Sequence, residues 1–348
     1  MSDILFEELV GHGGRVGHIT LNRPQVLNTL TLDMCVQLTE KLQQWQTNET
    51  IKAVMITGVG ERAFCAGGDI RKLHEANVEQ AQHFFLHEYR MNKVIYHFNK
   101  PYIALLDGIS MGGGLGVSVH GSHRVATDRL LLAMPETAIG FFPDVGASYF
   151  LPRLPGKLGC YLGLTGARLN ANDSYYATIA NHVVSHQCLH ELVQKIVDLD
   201  LSQQPYQRVS DSINFFALEL ADPELAQHSS DIDRCFAKNT IEEIITALTQ
   251  SDTSWCQQQA EIVLQKSPVS LKVTLAALQR GALLNFDECM QMELQLSGHF
   301  LQHHDFYEGV RAALIDKDRQ PHWRPSALHE VTDTMVAEYF QAQTTTMP

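Results

Sequence analysis

Apolar and polar positions fall into two regimes along the chain. In the first, short apolar runs alternate with amphipathic stretches. Residues 5–10 and 16–21 are apolar runs on either side of Gly11-His12-Gly13-Gly14, which predicts a β-hairpin. Asn22-Arg23-Pro24 breaks the second run. Thr31 stands where it can cap a helix with Met34, Leu38, Leu42 and Trp45 on one face. Residues 53–57 read as a buried strand stopped by Gly58. A glycine-containing loop follows at 64–69, then one long helix through Ala81, Phe84, Phe85, Met91, Ile95 and Phe98. Residues 102–106 and 123–127 are further strands, with Gly112-Gly113-Gly114 between them. This order predicts α/β layering.

The second regime begins near Cys188. Strand-like runs fade and amphipathic helices take over. Thr240 with Glu243 forms a capping box ahead of an apolar run, and Ser267-Pro268 opens a helix through Leu271, Leu275 and Leu278. The expected organisation is an α/β core over 1–190, a helical extension over 191–262 and a C-terminal helical region over 263–348.

Composition narrows the partners. Of 348 residues, 45% are hydrophobic, enough for a large core, and 19% are charged. A net charge of −13 repels nucleic acid and anionic lipid, so neither is an expected partner. The longest apolar runs are too short and too often charged to span a membrane. The 17 histidines make no HExxH array and are read as scattered surface groups; His303 and His304 are merely adjacent. The seven cysteines lack any CxxC pair, which points to a reducing compartment rather than to disulfides or zinc. The stretch Met1-Ser2-Asp3-Ile4-Leu5-Phe6-Glu7-Glu8 has the wrong charge for a signal or transit peptide, so the expectation is cytoplasmic.

Three clusters could carry chemistry. Gly67-Gly68-Asp69 and Gly112-Gly113-Gly114 each follow a strand, where a glycine lets the backbone come close to a ligand. Two such loops could aim two N–H groups at one oxygen; either alone is more often just a turn. In the third, Glu136 and Asp144 lie in the apolar run Met134-Pro135-Glu136-Thr137-Ala138-Ile139-Gly140-Phe141-Phe142-Pro143-Asp144-Val145-Gly146. Burial there raises a carboxyl pKa and costs stability, so these acids need a reason. They either divide acid and base work or serve as helix caps.

Together the clusters resemble the crotonase (enoyl-CoA hydratase/isomerase) superfamily. Leu21-Asn22-Arg23-Pro24 with Asn28-Thr29-Leu30 is similar to its opening motif. Ala63-Phe64-Cys65-Ala66-Gly67-Gly68-Asp69-Ile70 is similar to its first oxyanion loop, and Asp107-Gly108 with Gly112-Gly113-Gly114 to its second. The resemblance implies a spiral core of ββα units with a helical C-terminal region. It also implies an oxyanion hole from the N–H groups of Gly68 and Gly113, and substrate or CoA contacts at Arg23, Ala66, Asp69 and Gly112. Hydratases of the family carry two catalytic glutamates. One matches Glu136; the other position is Gly116 here. Asp144 stands where hydratases usually have glycine.

That difference, with Tyr149-Phe150-Leu151-Pro152-Arg153-Leu154 and the tail around Glu308-Gly309-Val310-Arg311, Pro321 and Trp323, resembles the 3-hydroxyisobutyryl-CoA hydrolase subfamily. The resemblance then implies hydrolysis of a short 3-hydroxyacyl-CoA, 3-hydroxyisobutyryl-CoA or 3-hydroxypropionyl-CoA, in valine catabolism, with Glu136 and Asp144 catalytic. It implies no separate cofactor and no metal, CoA being part of the substrate, and a homo-oligomer, trimer or hexamer. Arg23, Arg71 and Lys72 are candidates for the CoA phosphates. The alternatives are an enoyl-CoA isomerase or hydratase, and a non-catalytic CoA-binding member of the fold.

Overall fold

The structure, a computed structural model, describes residues 2–342. Nine strands occur among them. They are β1 (Ile4–Gly11), β2 (Gly14–Leu21), β3 (Ile51–Gly58), β4 (Ala63–Cys65), β5 (Tyr102–Leu106), β6 (Ile109–Met111), β7 (His123–Thr127), β8 (Leu131–Ala133) and β9 (His182–Val184). β1 and β2 form the expected antiparallel hairpin, closing at Gly11 opposite Gly14. Beyond β2 the pairing is parallel, giving a six-stranded sheet in the order β1-β2-β3-β5-β7-β9.

The three short strands make a second sheet, β4-β6-β8. A long strand of the large sheet is thus followed each time by a short strand of the small one: β3 then β4, β5 then β6, β7 then β8. This is the repeating ββα spiral of the crotonase fold.

One face of the large sheet is a dry layer. Val16, Ala53, Met55, Ile103, Leu105, Val125 and Val184 point the same way, as the two-residue period of strands requires. Leu192, Ile196, Val209 and Ile213, from the helices Leu189–Val197 and Pro205–Asn214, cover them. Each such side chain contributes roughly 1.5–3 kcal/mol on burial.

Helix α1 (Leu32–Thr47) begins as its sequence requires: the Thr31 hydroxyl accepts from the Met34 N–H at 3.3 Å, and Met34, Leu38, Leu42 and Trp45 are buried. The single long helix expected next is instead two, α2 (Ile70–Glu75) and α3 (Val78–Tyr96). Asn77 and Gln80 exchange side-chain-to-backbone hydrogen bonds of 2.9 and 3.2 Å, which restarts the helix, and Phe98 lies beyond its end. After β9 the described residues form helices, turns and loops. The Thr240–Glu243 capping box and the Ser267 cap are both present.

The chain divides into two compact units. One runs through Gly68 and continues in Arg90–Leu132 and Arg168–Ala226; it holds the large sheet. The other comprises Asp69–Tyr89, Ala133–Ala167 and the chain from Gln227 onward, and is mainly helical.

Candidate active site

In the sheet unit, the two glycine loops meet backbone to backbone. β4 and β6 run parallel, so the segments leaving their C-terminal ends lie side by side. A Cβ on Gly114 would sit 2.1 Å from the Cys65 carbonyl oxygen. A Cβ on Gly67, where φ is +101°, would lie 3.1 Å from the Met111 carbonyl and 3.4 Å from the Gly113 nitrogen. Only glycine permits this approach.

The first loop is also strapped from outside. Ala66 N–H donates to the Leu27 carbonyl at 3.0 Å, and Leu30 N–H to the Gly67 carbonyl at 2.8 Å. Among the described residues, the N–H groups of Gly68 and Gly113 have no acceptor. Gly112 precedes helix α4 (Gly113–Gly116), so the Gly113 N–H is one of the unpaired donors that open a helix.

The opening motif explains the straps. Asn28 is fully buried; its amide donates to the Val59 and Ala63 carbonyls at 3.0 and 2.9 Å and accepts from the Arg23 N–H at 2.9 Å. Arg23 is 7% exposed and donates to the Thr29 carbonyl and hydroxyl at 2.6 and 3.1 Å, with Asp3 at 3.4 Å. Its guanidinium therefore braces the turn at Thr29.

In the helical unit, four carboxyl groups share one buried region. Glu136 opens a single 3-10 turn, Glu136–Ile139, and is buried with one oxygen, Oε2, lacking a hydrogen-bond partner among the described residues. Asp144 is buried and accepts from the Tyr89 hydroxyl at 2.7 Å. Glu88 and Glu293 complete the group; Oε1 of Glu88 is also unpartnered among the described residues. In the same unit Phe85, Phe141, Phe142, Phe300 and Phe306 form a connected aromatic group with ring centroids 4.7–5.5 Å apart. An unpartnered buried carboxyl oxygen is costly, and a bound polar group would satisfy it.

The electrostatics follow from burial and like charge. Asp144 is pushed up to about 7 by burial, with the Tyr89 hydrogen bond holding it from going higher. Glu293 is pushed up to about 8 by burial, against the bonds it receives from Ser148 and Gly146. Glu136 is held well above the carboxylate range by burial and then by the charge of Asp144. Glu88 is raised by burial, then by Asp144 and Glu136. Burial and like charge thus raise all four groups, and Asp144, with its phenol donor, is the member best placed to ionise.

The turn carrying Glu136 is clamped by the tail. A Cβ on Gly140 would meet the Asp305 carbonyl oxygen at 2.0 Å, and one on Gly309 would meet the Ile139 carbonyl carbon at 2.3 Å. The helix His304–Val310 thus lies directly against the backbone of residues 139–140. Arg311 ties the segment after it, pairing with Glu308 at 2.9 Å and with Asp316 and Asp318 at 2.7 Å.

Other candidates sit outside these two groups. Asp69 precedes α2, with Lys72 at 3.9 Å. Arg71 donates to the Leu314 carbonyl at 2.8 Å, while Lys72 is 67% exposed in its side chain. The histidines are less scattered than expected: His83 and His87 lie one turn apart on α3 with ring nitrogens at 3.1 Å, and His303 bonds the His299 carbonyl one turn back. Still, no group of three or more potential metal ligands occurs among the described residues.

Glu88, Tyr89 and Glu293 belong to no motif. Their signal is positional. Glu88 falls on the buried stripe of α3 with Ala81, Phe84, Phe85, Met91 and Ile95, and Glu293 on the buried face of the helix Phe286–Phe300. An acid on an apolar stripe has to be explained by the site it serves.

Comparison with known proteins agrees with this architecture. Residues 16–340 match the family model for enoyl-CoA hydratase/isomerase. The chain is 45% identical to 3-hydroxyisobutyryl-CoA hydrolase, mitochondrial, of Bos taurus, over 98% of this chain and 90% of the relative. It is 44% identical to the Homo sapiens protein of the same name, with the same coverage. Among solved structures, a carnitinyl-CoA dehydratase from Mycobacterium thermoresistibile superposes with a TM-score of 0.91 at 37% identity, covering 100% of this chain and 99% of that one. With a spiral of ββα units, two abutting glycine loops and a family match over nearly its whole length, the chain belongs to the enoyl-CoA hydratase/isomerase family.

Proposed function

We propose that this protein hydrolyses the thioester of a short 3-hydroxyacyl-CoA, 3-hydroxyisobutyryl-CoA first and 3-hydroxypropionyl-CoA second, to the free acid and CoA, as in valine breakdown. The observation that carries the reading is that Glu136 and Asp144 are both buried and close enough for the charge of Asp144 to raise the Glu136 pKa. The names of the relatives support the substrate class.

The chemistry divides as follows. The free N–H groups of Gly68 and Gly113 receive the negative charge that develops on the carbonyl oxygen. Asp144 ionises first and takes the Glu136 proton. The Glu136 carboxylate then attacks the thioester carbon, forming an anhydride, or draws a proton from a water that attacks. When the carbon–sulfur bond breaks, the thiolate takes the proton held by Asp144. In the anhydride route a water then cleaves the acyl–Glu136 bond. Ala66, Asp69 and Gly112 border these loops and are proposed as substrate contacts; Lys72 is the exposed cation proposed for the CoA phosphates.

A panel of short acyl-CoAs, assayed for thiol release, tests the function. Release from 3-hydroxyisobutyryl-CoA at least as fast as from unsubstituted acyl chains is expected. Single-turnover hydrolysis in H₂¹⁸O separates the routes, since label in Glu136 marks the anhydride. The likeness to a carnitinyl-CoA dehydratase favours a second reading, water addition or removal at an enoyl-CoA. Enoyl-CoA turnover without thiol release would establish that reading instead.

The chain is further proposed to work as a trimer or hexamer in the reducing cytoplasm. Its seven free thiols support a reducing compartment. The word mitochondrial in the relatives' names is the competing outcome, and cell fractionation decides between the two. No helix among the described residues is long and apolar enough to cross a membrane.

A further inference from the structure

The helix Phe286–Phe300 buries Cys289, Met290, Leu294, Leu296 and Phe300, and in the middle of that apolar face it buries an acid, Glu293, to 0% exposure. A carboxyl group in such a place is retained only where it is fully engaged. Glu293 accepts three hydrogen bonds from one short stretch of chain: Gly146 N–H at 2.7 Å on Oε2, and Ser148 N–H at 2.9 Å and Ser148 hydroxyl at 2.5 Å on Oε1.

The stretch it holds begins two residues after Asp144, in a turn with an unusual backbone. Val145 has φ 53° and Gly146 φ 89°, two left-handed residues in succession, the first of them β-branched. Valine in that region is strained, and such a conformation persists only where the surroundings enforce it. Asp144 itself closes the turn, its carbonyl accepting from the Ala147 N–H at 2.9 Å. The Asp144 carboxyl is thus fixed from two directions: Tyr89 holds its oxygen, and Glu293 holds the turn on which it rides.

We infer that Glu293 is a positioning residue for Asp144, anchoring the left-handed turn at 145–146 so that the Asp144 carboxyl keeps its place beside Glu136. The inference rests on the catalytic role proposed for Asp144. A carboxyl suits the task because both of its oxygens can face donors. Glutamine would place an NH₂ group against either the Gly146 N–H or the Ser148 donors.

The test is a double-mutant cycle on the full chain, measured as thiol release from 3-hydroxyisobutyryl-CoA with wild type, Glu293→Gln, Asp144→Asn and the double variant. Glu293→Gln should lower kcat by about 10–100-fold with KM changed by less than about threefold, because misplacement costs rate rather than binding. In the Asp144→Asn background the same change should lower kcat by no more than about a factor of two, since Asp144 is the group it acts through. Ser148→Ala removes one of the three donors with a smaller risk to folding. It should lower kcat by about 3–10-fold in wild type and leave Asp144→Asn unchanged.

Losses that multiply in the double variants would mean a purely structural role and overturn the inference. So would kcat within about a factor of two of wild type for both Glu293→Gln and Ser148→Ala while Asp144→Asn is slow. If Asp144→Asn turns over at the wild-type rate, the reading of the acid pair falls, and this inference falls with it.

Discussion

The Tyr89 hydroxyl donates to Asp144 Oδ2 at 2.7 Å, inside a cluster of four buried carboxyl groups. That bond is the main counterweight to burial at Asp144 and keeps the group near neutrality instead of far above it. Tyr89→Phe removes the donor, so the Asp144 pKa should rise. The acidic limb of the kcat/KM profile should then move to higher pH, with activity at pH 7 reduced and activity at high pH largely recovered. An unmoved limb would separate Asp144 ionisation from the rate.

Glu136→Gln should abolish turnover, with a loss of about 10²–10⁴ in kcat or more, the range for removing an acid–base group. Binding of CoA, measured by calorimetry, should survive, because the substitution keeps volume and removes only the ionisable oxygen. Near-normal thiol release would reject Glu136 as the reacting acid.

The cluster also sets how stability responds to pH. Asp144 and Glu293 have folded-state pKa values of about 7 and about 8, above those of an unfolded chain. The folded state therefore binds more protons between about pH 4 and 8, and its stability falls as pH rises through that window. The raised groups contribute most below the unfolded pKa, and the contribution is lost by about pH 8. Each is worth on the order of a few kcal/mol. Asp144→Asn should flatten the decline of Tm between pH 5 and 8, which scanning calorimetry would show; an equally steep decline would contradict the assignment.

Gly114→Ala should separate the two glycine loops, since the added carbon would lie 2.1 Å from the Cys65 carbonyl. Backbone cannot yield cheaply there. The expected result is a loss of about 10²–10³ in kcat, as for removal of one oxyanion donor, together with a lower Tm. A variant of wild-type activity would show that the loops need not touch.

Much of the fold was readable in advance because its signals are local. The hairpin, the Thr31 cap, the strands β5 and β7 and the Thr240–Glu243 box each depend on residues within a few positions. The three-residue strands β4, β6 and β8 are too short for alternation to show, and the break at Asn77 interrupts an apolar stripe that continues on both sides. The site divides the same way. Glu136 and Asp144 stood out as acids in one apolar run. Glu88, Tyr89 and Glu293 reach the cluster from segments far away in sequence, and only helical phase marks them. The bracing hydrogen bonds of Arg23 to Thr29 carry no local signal beyond its place in the opening motif.

The contact between residues 139–140 and the helix at 304–310 has an evolutionary side. A side chain on Gly140 would run into the Asp305 backbone and one on Gly309 into the Ile139 backbone, so both positions are closed to larger residues while the two segments stay packed, although nearly half the chain separates them. A shortened version ending before position 304 would lose the wall that holds the acid-bearing turn. The smallest working enzyme cut from this chain must therefore keep a segment that contributes no reacting group of its own.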